Sequence, residues 1–372
     1  MHKWQNAQIA ANPAFDAKII TERGCLTLAK TRLLLLFGGT SSESKASLAS
    51  AASVFRTLNP EQYEIVPVGI NRKGRWLYYP GGADEIENDT WIENPDCAPA
   101  ILSPDPAHRG VLIMEDGNYT LKRIDVIFSV LQGKYGEDGA IQGLCELSHI
   151  PYVGNGILSS AVCRNKTMTH ALLCAAGIPM PNWVSVSQRD LNRLEREYAR
   201  IEANLEYPLF IKPSCSDSSI ASGIARDRAE LAAHVKRAFT QGSTVLVEEY
   251  VEGREFRIGV FGYDPPFASF VGEIVKGENG KLIIPAELDD TTSRIIREMA
   301  ISAFETLDCS SLALFDVYCT TRGDILIGEI NTMPELTEIA AYPELMSDLG
   351  MRYPYLLEKL IEQAFEHADR QF

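Results

Sequence analysis

The chain has 372 residues, 45% of them hydrophobic, and a formal net charge of −15. This length exceeds one simple core and indicates two or three domains. The acidic balance argues against binding to bulk nucleic acid or to an anionic membrane, because both require a basic face. Eight cysteines without a CxxC pair indicate a reducing compartment, with neither a disulfide framework nor a zinc site. No signal-peptide pattern is present and "LLLLF" is too short to cross a bilayer, so we expect a cytoplasmic protein.

The first part of the chain predicts alternating strands and helices after an N-terminal extension of residues 1–30. Residues 31–58 predict a strand, a Gly-Gly turn and a helix, since an apolar run ending in glycine fits a parallel strand buried on both faces. Residues 64–79 predict a strand pair joined by "NRKG", and residues 80–118, rich in Pro, Asp and Gly, predict loops. Residues 123–154 predict a strand, a glycine-rich loop, a helix and a strand. This alternation predicts the α/β class, with a doubly wound N-terminal domain that binds ligands at its strand ends.

The second part of the chain predicts further strands and fewer helices. Residues 165–186 predict a helix, a turn and a strand, and "RDLNRLEREYARIEANL" predicts an amphipathic helix. "YPLFIKP" predicts a strand that leads into the loop "SCSDSSIASG", and residues 243–262 predict two strands around an acidic turn. Residues 266–288 predict a hairpin that turns at "GENG". The remaining predicted elements are a helix over 290–307, strands over 312–319 and 324–330, and a helix over 354–370.

Charged side chains at the ends of predicted elements suggest a nucleotide site. Lys166 opens a helix and Lys212 ends a strand, and ammonium groups suit phosphate oxygens. Asp316, Glu329 and Asn331 lie on two neighbouring predicted strands and offer the oxygen ligands that Mg²⁺ prefers. Each residue alone is more often a surface charge. The set on adjacent strands is harder to explain in structural terms, because a buried carboxylate without a partner is costly.

Five stretches, in this order along residues 31–372, resemble a known family: "LLLLFGGTSSESKASLASAASV", "GKYGEDGAIQGLCELSHIPYVGNGILSSAVCRNK", "YPLFIKPSCSDSS", "VLVEEYVEGREF" and "FDVY…GEINTMPELT…YPEL". They resemble the D-alanine–D-alanine ligase family of the ATP-grasp superfamily. "YEIVPVGINRKGRW" is also similar to the D-Ala–D-Ser ligases of vancomycin-resistance type. The resemblance implies a three-domain ATP-grasp fold and a homodimer. It implies an N-terminal domain over 31–165, a central subdomain over 166–252 and a C-terminal subdomain over 253–372.

The resemblance also implies a chemistry and a set of residues. ATP would lie between the central and C-terminal subdomains with Mg²⁺, or alternatively Mn²⁺, on its phosphates. A carboxylate would take the γ-phosphate to give an acylphosphate, which an amine then attacks, while Mg²⁺ and lysines neutralise the transferring charge. The family positions are Lys166, Lys212 and Ser219 for phosphates, Glu248, Val251 and Glu255 for adenosine, Asp316, Glu329 and Asn331 for metal, and Glu43, Ser218 and Lys212 for catalysis. Of these, Glu43 stands where the family holds the ammonium group of the first amino acid.

The amino-acid subsites depart from the family pattern. Gln132 stands where the family has a histidine, and glutamine does not titrate near neutral pH. Leu314 stands where the family has the arginine that stabilises the oxyanion. Glu335 replaces a glycine whose N–H helps to bind the same oxyanion, and Ala340 replaces a serine that binds the carboxylate of the second substrate. Loss of one oxyanion donor typically costs about 2.7–4 kcal/mol in the transition state.

Two loops near the phosphates are also changed. Asp217 and Ala221 replace glycines of the loop after "LFIKP", which reduces its access to positive φ and adds negative charge. The family's ω-loop, with its tyrosine and its phosphate-binding lysine, is missing between Glu273 and Pro285. Either Lys276 or Lys281 could take over part of that lysine's role.

Three interpretations therefore stay open at this stage. The first is an ATP-dependent carboxylate–amine ligase of this family with an altered acceptor, either a non-standard amino acid or an amine, for which Glu335 and Glu338 favour a cationic molecule. The second is a standard D-Ala–D-Ala or D-Ala–D-Ser ligase. The third is an ATP-binding pseudo-ligase with a regulatory role, against which the retained metal residues argue.

Overall fold

The structure is a computed structural model that describes residues 19–22, 25–215, 221–262, 264–275 and 281–371. In these ranges no helix is long and apolar enough to cross a membrane. The strands are β1 (Ile19–Glu22), β2 (Cys25–Leu28), β3 (Thr31–Gly38), β4 (Tyr63–Ile70), β5 (Trp76–Tyr78), β6 (Ala98–Leu102), β7 (Gly110–Glu115), β8 (Asn118–Arg123), β9 (Val126–Ser129), β10 (Tyr152–Val153), β11 (Trp183–Ser187), β12 (Leu209–Pro213), β13 (Gly223–Ala225), β14 (Thr244–Glu249), β15 (Gly253–Phe261), β16 (Phe267–Ala268), β17 (Gly272–Val275), β18 (Lys281–Ile283), β19 (Leu312–Thr320) and β20 (Ile325–Asn331).

The α-helices are α1 (Ser44–Thr57), α2 (Ala83–Glu87), α3 (Ala140–Leu147), α4 (Ile157–Arg164), α5 (Lys166–Ala175), α6 (Leu194–Glu202), α7 (Arg228–Ala238), α8 (Asp290–Thr306), α9 (Ala341–Asp348) and α10 (Tyr353–Gln371). Short 3₁₀ helices span Trp91–Glu93 and Gln188–Arg193. Within the predicted extension, β1 and β2 pair as an antiparallel ribbon, while residues 1–18 lie outside the described residues.

The first large sheet has the strand order β10-β9-β3-β4-β5-β6-β7-β8. Its strands β10, β9, β3 and β4 are parallel, and the pairs from β4 to β8 are antiparallel. Residues 33–37 of β3 are fully buried, because α1 and α10 pack against one face of this sheet and α3 against the other. Helices on both faces of a parallel core confirm the predicted α/β class and its doubly wound first part.

The turn after β3 brings the chain to the start of α1. Gly38 has φ +88°, and a Cβ there would lie 2.4 Å from the carbonyl oxygen of Ile70 on β4. The backbone of the next residue, Gly39, donates a hydrogen bond to the same oxygen at 2.7 Å. Only glycine fits a left-handed conformation at such a close approach. The turn therefore places Glu43, the residue just before α1, at the carboxyl end of the parallel strands.

The prediction of loops over residues 80–118 is wrong. This segment contains α2, a 3₁₀ helix, β6 and β7, and β8 begins at its end. In β6 the residues at 98, 100 and 102 are buried and those between them are exposed, which is the alternation of a half-buried strand. Most of the Pro, Asp and Gly residues of the segment fall between these short strands, although Pro99 lies in β6 and Gly110 begins β7, so composition alone concealed the strands.

The second sheet has the order β11-β14-β12-β13 and the third has the order β18-β17-β15-β19-β20, with β16 paired to β15. Both are antiparallel throughout. α8 packs against one face of the third sheet and leaves its other face toward a cavity. The predicted hairpin is confirmed as β17 and β18, paired between Val275 and Lys281, with only residues 276–280 between them. The predicted turn at "GENG" and Lys276 lie outside the described residues, and the absence of the family's ω-loop stays a prediction.

Residues from the C-terminal part of the chain pack against the first sheet, so the three sheets do not correspond to three separate stretches of sequence. α10, from the end of the chain, packs its residues Leu356, Leu357, Leu360 and Ile361 against the first sheet. The domain boundaries expected at residues 165 and 252 stay predictions. Residues 312–371 contribute to the core of the first sheet as well as to the third, so the two sheets share one hydrophobic cluster.

Asn155 joins the first sheet to the third through four hydrogen bonds. Its Nδ2 donates to the carbonyl oxygens of Leu312 at 2.6 Å and Thr332 at 3.2 Å. Its Oδ1 accepts from the backbone N–H groups of Ser310 at 2.9 Å and Ser311 at 3.1 Å. The side chain is 1% exposed and uses its full donor and acceptor capacity.

Substitution of Asn155 by Ala is expected to lower the free energy of unfolding by about 2–4 kcal/mol, because it leaves buried backbone donors and acceptors without partners. Asn88→Ala is the matched control, since Asn88 is exposed and makes one side-chain bond, to the carbonyl oxygen of Asp84. That control should change stability by less than about 0.5–1 kcal/mol. Urea unfolding checks both values, and equal stabilities for the two variants would contradict the role given to Asn155.

Candidate active site

A cavity of about 390 Å³ lies where loops and strands of the three sheets meet. Its lining residues are Glu43, Glu137, Cys163, Arg164, Lys166, Phe210, Lys212, Pro213, Ser222, Glu329, Ile330, Asn331 and Thr332. The cavity therefore brings together five residues that the sequence singled out, although they come from separate stretches of the chain. They are Glu43, Lys166, Lys212, Glu329 and Asn331.

The open face of the third sheet carries the charged residues. In the strand register Asp316 lies opposite Glu329 on one side and opposite Arg257 on the other. Side chains alternate along a strand, so these three share one face while the residues between them enter the core against α8. A register shift after Asp316 leaves Gly328 without a partner, and a Cβ at Gly328 would lie 2.4 Å from the ring of Tyr318. Glycine at this bulge lets the strand pass the ring and keeps the two carboxylates side by side.

The two carboxylates each have a cationic partner. Arg257 donates from Nε to Asp316 Oδ1 at 3.0 Å, and Lys166 Nζ lies 3.0 Å from Glu329 Oε1. Burial raises the pKa of Asp316 to about 6, opposed by Arg257 and assisted by the neighbouring charge of Glu329. Burial also acts to raise the pKa of Glu329, but Lys166 and Lys212 outweigh it and hold that pKa below its usual range. Like charges directly opposite each other on neighbouring strands destabilise a sheet, so the pair Asp316 and Glu329 lowers the stability of the fold.

The donor set fits a hard divalent cation. Asn331 follows Glu329 by two residues on the same strand face, and its Oδ1 accepts from the Met333 N–H at 2.8 Å while keeping a second lone pair. Among the described residues no three His, Cys, Asp or Glu side chains could hold a metal by themselves. Two carboxylates and one carboxamide beside a cavity that two lysines line match Mg²⁺ or Mn²⁺, which take oxygen ligands and complete their shell with phosphate and water.

Lys212 reaches the cavity from a buried charge cluster. Its Nζ lies 2.8 Å from Oε2 of Glu248, whose Oε1 lies 2.5 Å from Nε2 of His170. Burial lowers the pKa of Lys212, but Glu248 and Glu329 outweigh it, so the net shift is upward. Lys166 begins α5, where the Asn165 side chain caps the helix by accepting from the Met168 N–H. Both lysines thus present an ammonium group at the cavity.

Other predicted residues lie beyond the cavity wall. Val251 and Glu255 are half-buried, the first just after β14 and the second on β15, where Glu255 lies opposite Tyr318. Ser218 and Ser219 lie outside the described residues.

The residues of the altered subsites are not among those that line the cavity. Leu314 stands opposite Asn331 in the strand register and packs against the core shared with the first sheet. Gln132 is buried, and its Nε2 donates to the carbonyl oxygen of Met333 at 3.3 Å. Glu335 is exposed and accepts from Thr337 Oγ1 at 3.2 Å. Ala340 directly precedes α9.

Three residues of this region were not identified from the sequence: Arg257, His170 and Asn155. Arg257 could have been found from the strand order, since it lies opposite Asp316 only when β15 pairs with β19. His170 follows Lys166 by one helical turn, which is a weak signal in the sequence. No signal marked Asn155, because all four of its partners are distant in sequence.

Comparison with known proteins identifies the family. A protein-family model described as "D-ala D-ala ligase N-terminus" matches residues 32–155, and a second model, "D-ala D-ala ligase C-terminus", matches residues 172–362. The chain belongs to the D-alanine–D-alanine ligase family. A D-alanine–D-alanine ligase from Acetivibrio thermocellus is 38% identical over 362 residues, which cover 91% of this chain and 96% of that protein.

Solved structures agree with this assignment. The VanG D-Ala:D-Ser ligase from Enterococcus faecalis matches with a TM-score of 0.84 and 35% identity, over 90% of this chain and all of that one. A D-alanine–D-alanine ligase from Bacillus anthracis complexed with ATP matches with a TM-score of 0.69 and 25% identity, over 92% of this chain and all of that one. The predicted ATP-grasp fold is therefore confirmed, and this member of the family is an ATP-dependent ligase.

Proposed function

We propose that this ligase joins D-alanine to a second D-amino acid, either D-alanine or D-serine, at the expense of ATP. The proposal rests on one observation: Glu43, Lys166, Lys212, Glu329 and Asn331 all line the same cavity. A carboxylate-activating ligase needs cations for phosphate and an anion for a substrate ammonium group within reach of each other. The named activities of the relatives favour this standard reaction over the altered acceptor that the sequence suggested.

The proposed roles follow from the chemistry of each group. Lys166 and Lys212 bind phosphate oxygens, and Glu43 binds the ammonium group of the first substrate. Asp316, Glu329 and Asn331 would hold Mg²⁺ or Mn²⁺, which supplies charge neutralisation on the phosphates. The other proposed positions are Glu248, Val251 and Glu255 for adenosine, with Ser218 and Ser219 for phosphate.

The proposed reaction has two steps, transfer of the γ-phosphoryl group and attack by an amine. An oxygen of the first substrate's carboxylate bonds to the γ-phosphorus and ADP leaves, which gives an acylphosphate. The free amine of the second substrate then bonds to the acyl carbon, phosphate leaves with the original carboxylate oxygen, and the nitrogen loses a proton. Lys212 lines the cavity, so its ammonium group can neutralise the negative charge that develops on ADP as the γ-phosphoryl group is transferred.

Arg257 offers the guanidinium that position 314 lacks. It lies on the same sheet face as Leu314, on the adjacent strand, where Gly259 stands opposite Leu314 and gives no side chain. The hydrogen bonds among the described residues use its Nε but neither Nη atom, so the four N–H donors of the two Nη atoms remain for an anionic oxygen. We propose that Arg257 stabilises negative charge on the reacting groups, which removes one objection to standard activity.

Arg257→Met is expected to lower kcat by about 10²–10³, the size typical for loss of one oxyanion donor, with a smaller change in the KM for ATP. Arg254→Met is the matched control, because Arg254 lies three residues away on the same strand, so its side chain leaves the opposite face, and it pairs with Glu273. The control should keep wild-type kcat. Steady-state phosphate release measures both variants, and an unchanged kcat for Arg257→Met would contradict the role.

A second candidate is ligation to a different acceptor, and the exposed carboxylate of Glu335 favours it. A competition assay separates the two. Purified protein with ATP, Mg²⁺ and D-Ala receives D-Ser, L-amino acids or diamines at equal concentration, and products are measured by mass. The highest kcat/KM for D-Ala or D-Ser as acceptor supports the standard reaction, whereas a diamine preferred at least tenfold would support the altered acceptor.

The predicted homodimer stays a proposal, which light scattering would check.

A further inference from the structure

A buried cluster of three ionisable side chains lies behind the cavity wall. His170 is 1% exposed, Glu248 4% and Lys212 8%. Glu248 divides its carboxylate between the other two, with Oε2 at 2.8 Å from Lys212 Nζ and Oε1 at 2.5 Å from His170 Nε2. Only Lys212 of the three lines the cavity. His170 can therefore act on a ligand only through Glu248 and Lys212.

The contacts of His170 define its protonation state. Nδ1 lies 2.7 Å from the carbonyl oxygen of Lys166, and a carbonyl accepts but does not donate, so Nδ1 carries a hydrogen. Nε2 faces Glu248, where burial acts to raise the carboxyl pKa but Lys212 and His170 outweigh it and lower that pKa. The contact between Nε2 and Oε1 is close enough for an ion pair but is not a well-formed hydrogen bond, and a hydrogen on Nε2 would make His170 an imidazolium.

The imidazolium changes the charge of the cluster. Lys212 and Glu248 alone form a neutral pair, and Lys166 with Glu329 forms another at the cavity. With His170 protonated, the His170, Glu248 and Lys212 cluster carries one net positive charge. In an interior of low dielectric such a charge acts strongly on an anion nearby. The cluster then attracts phosphate even though Glu248 already pairs with the lysine.

We propose that His170 is a positioning residue of the nucleotide site: its imidazolium fixes Glu248 and leaves the charge of Lys212 available to the phosphates of the nucleotide. This inference rests on the proposed assignment of the cavity to ATP. An ammonium on a flexible four-carbon chain is placed by its partners. Without the charged contact to His170, the Glu248 carboxylate would draw Lys212 into the neutral pair.

Charged groups from three elements surround the ring of His170. They are Glu248 on β14, Lys212 on β12 and, on its own helix, Lys166, while β11 contributes the Trp183 ring at 5.6 Å between centroids. Glu248 is the group that the ring contacts directly, so loss of the ring nitrogen removes that contact from the cluster.

Substitutions at His170 separate charge from hydrogen bonding. His170→Lys keeps a cation, His170→Gln keeps a neutral donor at the place of Nε2, and His170→Phe keeps only a ring. Calorimetric binding of ADP with Mg²⁺ at pH 7 should be near wild type for Lys, about tenfold weaker for Gln and about a hundredfold weaker for Phe, the range found for residues that orient ligating groups.

His108→Gln is the matched control, since His108 contacts Ser103 in the first sheet and not the cavity. It should keep the ADP affinity of wild type. In turnover, His170→Gln should raise the KM for ATP with little change in kcat. Wild-type ADP affinity in both the Gln and the Phe variant would overturn the proposal. ADP binding does not require ligation, so the two proposals can fail separately. If the His170 variants bind ADP in the expected order but the protein forms no dipeptide, only the proposed function is contradicted.

Discussion

Replacement of Asp316 by Asn, or of Glu329 by Gln, is expected to lower kcat/KM for ATP by roughly 10²–10³ without unfolding the protein. Each substitution keeps the side-chain size and removes one of the two carboxylates that stand opposite each other on β19 and β20. A hard cation needs these anionic oxygens, and its charge neutralisation contributes several kcal/mol to phosphoryl transfer. Coupled-enzyme assays at several Mg²⁺ concentrations measure the effect, which should include a weaker dependence of rate on Mg²⁺.

Asp324→Asn is the control for these variants. Asp324 lies between the same two strands, far from the cavity, and its backbone and side chain contact Thr320. Its kcat/KM should equal that of wild type. A wild-type rate and Mg²⁺ dependence in both Asp316→Asn and Glu329→Gln would show that this sheet face does not bind the metal.

Lys212→Met is expected to lose activity and stability together. Its ammonium is the cavity's link to the buried cluster, so the rate should fall by roughly 10²–10³, as for removal of other groups that stabilise transferring charge. The free energy of unfolding should also fall by about 3 kcal/mol, because Glu248 keeps its charge in the interior with one partner fewer. Chemical denaturation and phosphate release measure the two effects on the same preparation.

The double variant Lys212→Met with Glu248→Gln separates the two losses. It removes the orphaned charge, and Gln can still accept from His170. Stability should return to within about 1 kcal/mol of wild type, while activity stays low. Recovery of activity along with stability would mean that Lys212 matters only for the fold.

The parts of the fold that the sequence predicted are those with strong local patterns. The "LLLLF" run identified β3 as a strand buried on both faces, and Asp316, Glu329 and Asn331 were correctly placed on paired strands. Short strands with weak alternation were missed, such as β6 and β7 within residues 80–118. Their stability comes from pairing with each other and with β5, which a local pattern does not reveal.

The contacts that the sequence did not predict join residues far apart along the chain. α10 packs on the first sheet, Asn155 ties that sheet to the third, and Glu248 bridges His170 and Lys212. Each depends on the order in which elements pack. The altered-acceptor hypothesis has the same weakness, because it counted Leu314 as a lost arginine without the register that places Arg257 opposite Asp316.

The most direct test of the account follows the oxygen atoms of the donor substrate. Purified protein is supplied with ATP, Mg²⁺ and D-alanine labelled with ¹⁸O in its carboxylate, and dipeptide and phosphate are analysed by mass. Ligation through an acylphosphate predicts D-alanyl-D-alanine in equal amount to ADP, with one labelled oxygen in each phosphate released. Unlabelled phosphate, or ADP formed without dipeptide, would contradict the account, because water rather than a carboxylate would then have taken the phosphoryl group.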